Sequence, residues 1–194
     1  MALGGMKLAS QSVSGDSAKA GRAKGAMFFS VFGGIWLALW AYDEYSGSVG
    51  ALLIVALATA VLLAAVYRVY KVNSLALKAH AQTSETRRKS RLFNLVNFAQ
   101  WAVIFLVASV FTQIGYTKWI LPMVILIVGL HFLPLARLFA YRPHYLTGAA
   151  LILLACVYPI VARDGPASAV GALGAGLILW LSAVWAISPS RSQQ

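Results

Sequence analysis

Acidic residues are nearly absent from this chain: five Asp and Glu stand against sixteen Lys and Arg in 194 residues, for a net charge of +11. There is one cysteine, Cys156, and there are only three histidines, His80, His131 and His144. A single cysteine excludes an internal disulfide and any paired-cysteine metal or redox motif. The histidines carry no haem signature and none has a second ligand at zinc spacing, so neither a metal nor a cofactor is expected. No carboxylate pair, nucleophile or metal set accompanies the one histidine that falls well inside an apolar run, so the sequence points away from an enzyme.

What the chain has in abundance is apolar sequence. Sixty per cent of its residues are hydrophobic and only 11% are charged, far from the balance of a soluble domain. The apolar residues fall into six runs, at 26–42, 50–66, 93–111, 119–135, 145–161 and 167–187. Each is long enough to cross a bilayer as a helix, which predicts an all-α fold, a six-helix transmembrane bundle. Fourteen of the sixteen basic residues lie in the N-terminal segment, in the second and fourth loops and at the C-terminus, leaving only Lys118 and Arg163 on the other side. Basic loops resist translocation, so both the N-terminus and the C-terminus are expected in the cytoplasm. The same bias accounts for the net charge without nucleic acid as a partner: the basic loops meet anionic lipid headgroups on the cytoplasmic side.

Three segments are expected. Residues 1–25 are rich in Gly, Ala, Ser and Lys, contain no aromatic residue and read as a disordered basic cytoplasmic tail. Residues 26–187 form the bundle, and 188–194 a short cytoplasmic tail. An uncleaved first span fits better than a signal peptide, because no small-residue cleavage pattern follows the apolar core. Met1 and Met27 both serve as candidate starts. The loop 68–92 is the one sizeable polar segment. Its first half, 72–81, has few helix breakers and could prolong the second helix, while Arg87, Arg88, Lys89 and Arg91 are placed for lipid-headgroup contact. Tyr42, Tyr45, Tyr116 and Trp119 are expected at one membrane interface, and Tyr67, Tyr70, Phe139, Tyr141, Tyr145 and Trp185 at the other. Small residues at four-residue spacing, Ala56, Ala60 and Ala64 in helix two and Ala167, Gly171 and Ala175 in helix six, allow close helix packing, within the chain or against a second copy or another membrane protein.

The chemistry concentrates in helices three and four. Asn94, Asn97 and Trp101 are spaced three and four apart and share a face, with Gln100 at its border. Amides in hydrocarbon are costly unless paired, so this face should look into the bundle. His131 lies six residues from Arg137, as Asn97 does from Arg91. At a rise of about 1.5 Å per residue both sit roughly 9 Å inside the cytoplasmic boundary, where they can hydrogen-bond directly or through water. Pro134 is expected to kink helix four and free the carbonyl of Leu130 beside His131. Asn94, Asn97, Gln100, Trp101 and His131 are therefore the candidate ligand-binding residues, with no catalytic residue and no metal ligand among them.

The run Asn97–Trp101, the motif Gly129-Leu-His131-Phe-Leu-Pro134-Leu-Ala-Arg-Leu-Phe139 and the later Pro143-x-Tyr145-x-Thr-Gly148 resemble a group of small six-helix bacterial integral membrane proteins with no assigned function. The likeness covers helices three to five, about half the chain. It implies a multi-pass address in the bacterial inner (plasma) membrane and supplies no activity. Function is thus expected to be small-solute binding or passage through a polar pocket between helices three and four, or else an accessory or scaffold role in a membrane complex with a purely structural polar cluster.

Overall fold

The computed structural model describes the backbone of residues 2–80 and 84–188 and the side chains of 17–75 and 88–188. It consists of six helices, α1 (Ala2–Glu44), α2 (Val49–His80), α3 (Ser84–Gln113), α4 (Ile120–Leu138), α5 (Pro143–Val161) and α6 (Val170–Ile187), with short 3-10 turns at Thr117–Trp119 and Gly165–Ala167. All six are long and apolar enough to cross a membrane.

Proline placement explains their unequal lengths. None of the six prolines precedes Pro122, and α1, α2 and α3 run for 43, 32 and 30 residues. At about 1.5 Å per residue each exceeds the ~30 Å hydrocarbon core. Helices α4 to α6 are 18 or 19 residues long: Pro143 opens α5, and the Gly165-Pro166 turn delays α6 to Val170.

Two expectations are corrected here. The segment 1–25, expected as a disordered tail, is helical from Ala2 onward. Ala20, Ala23 and Ala26 repeat every three residues and are fully buried, and Ala23 and Ala26 join the core that holds Val66 of α2 and Ala183 of α6. Small side chains rather than large apolar ones pack residues 20–26 against the neighbouring helices. The polar loop 68–92 is likewise mostly helix: α2 continues to His80, as its lack of breakers suggested, and the basic run forms the first turns of α3. Arg88, Lys89 and Arg91 are exposed there. The side chain of Arg87, the link 81–83 and the tail 189–194 lie outside the described residues.

Close backbone approach holds the helices together, as expected where lipid supplies no hydrophobic drive. Between α1 and α6, a Cβ on Gly176 would stand 2.9 Å from the Gly33 carbonyl, and Trp180 Nε1 donates to the Ser30 carbonyl at 3.1 Å. Between α4 and α5, Gly129 and Gly148 face each other. Thr147 and Ser182 join α5 to α6 through their hydroxyls, 2.8 Å apart. Gly34 of α1 packs on Thr59 of α2. The expected small-residue face of α6 is used in this way through Gly171, Ala175 and Gly176, whereas Ala56, Ala60 and Ala64 of α2 are exposed. Replacing Trp180 with phenylalanine leaves the Ser30 carbonyl without this donor and should lower stability by about 0.6–1.5 kcal/mol in a denaturing-detergent titration. An unchanged midpoint would show that the bond adds nothing.

The main helix contacts run in the order α2–α1–α6–α5–α4–α3, with α6 also touching α2 and α4. Helices α1 and α4 meet through the side chains of Phe29 and Phe132, whose ring centroids are 5.4 Å apart. The remaining surface is apolar, with residues such as Ile54, Leu57, Phe98 and Ile160 exposed, as a lipid-facing exterior requires.

Candidate functional site

Arg22, Tyr141, His144 and His131 gather toward the end of the bundle where the basic residues lie. The turn after α4 builds this region. Its backbone closes through Phe139 N to Leu135 O at 3.0 Å and Tyr141 N to Ala136 O at 3.1 Å, with Ala140 in the left-handed region at φ 50°. Pro143 then starts α5, so His144 falls in its first turn and points back over α4. The His144 ring is 4.9 Å from Tyr141, 5.6 Å from Phe29 and 5.8 Å from Phe132, measured between centroids. His131 stands 6.0 Å from Phe132 on its other flank, and the two imidazoles are within electrostatic range of each other.

Arg22 enters from α1, and Tyr141 feels its charge. It lies 22 residues before Glu44 at the opposite end of the helix. That separation is roughly 33 Å along the axis, which is headgroup depth rather than mid-bilayer. Two nitrogens of this cluster, Arg22 Nε and His144 Nδ1, are buried without a hydrogen-bond partner among the described residues. Leaving such atoms unpaired costs about 1–3 kcal/mol each, more when charged. Tyr141 packs against the His144 ring, and burial holds its phenol above its ordinary pKa, an effect the Arg22 charge opposes in part. The phenol therefore keeps its proton and remains a donor at neutral pH.

The sequence-derived candidates divide. His131 turns to α3, toward the backbone of Val96, the residue before Asn97. Asn97 and Gln100 lie half-buried on the α4-facing stripe of α3 with Phe93, Val96 and Ile104, while Asn94 and Trp101 are exposed. The packed stripe is rotated by about one residue, roughly 100°, from the face that Asn94 and Trp101 would define. Large apolar contacts from Phe93 and Val96 set that rotation rather than the amides. Pro134 sits inside α4, exposed with Leu130 and Arg137, so the proline stripe is separate from the histidine. Arg22, Tyr141 and His144 were not among the candidates. Arg22 is one of many topology-setting charges in sequence, and His144 resembles a loop residue beside Pro143.

Among the described residues no group of three or more His, Cys, Asp or Glu could hold a metal ion. One guanidinium, one phenol and the His144 imidazole, when its proton is on Nδ1, form a set of donors for an anion. No family model, curated protein or solved structure matches the chain.

Proposed function

We propose that this is a bacterial inner-membrane protein with both ends in the cytoplasm, and that it binds a small anionic solute at its basic end, between α1, α4 and α5. The observation that carries this reading is the pair of buried, unpartnered nitrogens, Arg22 Nε and His144 Nδ1, with the Tyr141 ring beside them. A bound oxyanion would satisfy both, and binding to the folded state alone would stabilise it. Asn97, Gln100 and His131 extend the same polar region to the α3–α4 seam and would serve a solute that passes through. An accessory role is the second reading, favoured by the outward Ala56, Ala60 and Ala64 stripe on α2, which would suit a partner helix.

The test is thermal unfolding of the purified protein in detergent against a panel of phosphate esters, carboxylates and sulfonates. At 100 times its dissociation constant a ligand contributes about 2.7 kcal/mol, a rise in Tm of roughly 5 °C or more for a chain of this size. Arg22→Gln should fold and lose that rise. A panel in which no anion moves the wild-type midpoint would leave the accessory reading.

A further inference from the structure

Helix α1 carries a stripe that, among the described residues, no other helix covers. Gly21, Gly25, Phe28, Phe32, Ile35 and Leu39 recur at alternating spacings of four and three residues, so they lie on one side of the helix. The four apolar side chains are 40–57% exposed. An added Cβ would meet nothing within 4 Å at Gly21 or Gly25. Three other faces of α1 are occupied, while Val31 beside the stripe is 40% exposed as well. Gly33 and Ser30 meet α6, Gly34 meets α2, and Phe29 meets α4. By helical periodicity the open stripe is on the side of α1 away from α6, between the flank that meets α2 and the flank where Phe29 meets Phe132 of α4.

This stripe changes character along its length in a way that ordinary lipid contact does not require. At the basic end two glycines leave a gap three residues on either side of Arg22 or less, next to the unpartnered Arg22 Nε. Farther in, it becomes continuous apolar surface, running from Phe28 to Leu39, about 17 Å at 1.5 Å per residue. A polar gap at headgroup depth that opens onto an apolar track of that length has the shape of an amphiphile. The cluster supplies a half-buried guanidinium, its Nε out of contact with solvent, and a protonated phenol, which together complement a single negative charge with several acceptor oxygens.

Resting on the anion-binding reading above, we infer that the site holds one anionic phospholipid, its phosphodiester in the gap at Gly25 against Arg22, Tyr141 and His144 and an acyl chain along Phe28, Phe32 and Ile35. The bound lipid is a singly charged phosphodiester taken from the bilayer rather than a free phosphate taken from solution. Filling the gap should expel it without harming the helix, because leucine is a better helix former than glycine by about 0.5–1 kcal/mol.

Native mass spectrometry of the detergent-purified full chain tests this with three probes: phosphatidylglycerol, phosphatidylcholine of the same acyl chains, and sn-glycerol 3-phosphate. One retained phosphatidylglycerol is expected, bound at least tenfold more tightly than phosphatidylcholine. Gly25→Leu should lose that preference while keeping a thermal midpoint no lower than wild type, and Arg22→Gln should lose it as well. Equal retention of both lipids, unchanged in Gly25→Leu, would overturn the inference and mean an unspecific lipid shell. Glycerol phosphate bound as tightly as phosphatidylglycerol would overturn the lipid but keep the anion site. Preference retained in Gly25→Leu but lost in Arg22→Gln would place the headgroup outside the glycine gap and likewise refute the proposal. No binding of either anion would remove the anion site with it. Should Gly25→Leu unfold, Gly25→Ala and Ile35→Asn, one narrowing the gap and one interrupting the track, make the same comparison.

Discussion

Replacing Gly129 with leucine is expected to be among the most damaging single changes in the chain, destabilising it by more than about 3 kcal/mol. A Cβ there would lie 3.0 Å from the Gly148 carbonyl, 3.0 Å from the Ile152 amide nitrogen and 2.9 Å from the Ile152 side chain. Two of these three atoms are backbone, so no change of rotamer relieves the clash and α4 must move away from α5. That movement would also pull His131 and Phe132 of α4 from His144 of α5. The α4–α5 contact cannot be replaced by burying more apolar surface, since lipid already solvates such surface well. Denaturing-detergent titration should give a midpoint far below wild type, or no folded protein. Gly21→Ala is the matched control: nothing stands within 4 Å of that position, so stability should stay level or rise by up to about 1 kcal/mol through helix propensity. A tolerated Gly129→Leu would mean that α4 and α5 do not pack this closely.

Phe132→Ala carries the second large effect, and it joins the fold to the site. Phe132 is 5% exposed and its ring contacts those of Phe29, His131 and His144 at centroid distances of 5.4, 6.0 and 5.8 Å. It is the contact through which α1 and α4 meet. Truncation removes that contact and leaves a cavity, which in soluble cores costs about 3–5 kcal/mol. In a bilayer the transfer part of that cost shrinks, because the unfolded helices are already in an apolar solvent. The lost ring packing and the cavity remain, giving an expected loss of roughly 2–4 kcal/mol. The effect on ligand binding should be larger than the stability loss alone explains, since the wall between the two imidazoles disappears. Phe132→Leu should recover most of the stability and little of the binding. Equal recovery of both would assign Phe132 to packing only.

Much of the architecture was legible in the residues themselves. Six apolar runs gave six helices, and the packing glycines of α6 were visible as small residues at helical spacing. Three things were not legible, each for a physical reason. The helix over residues 2–25 depends on Ala20, Ala23 and Ala26 fitting against neighbouring helices, and alanines carry no signal that separates a packed helix from a flexible tail. The outward position of Ala56, Ala60 and Ala64 could not be told from the inward one of Gly171 and Ala175, since spacing alone does not say which neighbour arrives. The candidate site was half read: His131 stood out as an imidazole within an apolar run, but Arg22, Tyr141 and His144 reach it from residues 22 to 144, joined only by the meeting of α1, α4 and the α4–α5 turn. Long-range convergence of that kind leaves no local pattern.

Phe29 is one helical turn beyond Gly25, and it packs on both Phe132 and His144. The glycine end of the stripe is thus bordered by an aromatic contact made from α1 itself.

The most direct test of the account is a density map of the protein isolated in lipid from its own membrane, read at Arg22 and His144. The account predicts a non-protein anionic group within hydrogen-bond distance of both Arg22 Nε and His144 Nδ1. Finding both nitrogens paired with protein atoms or water alone, with no further density between them, would contradict it.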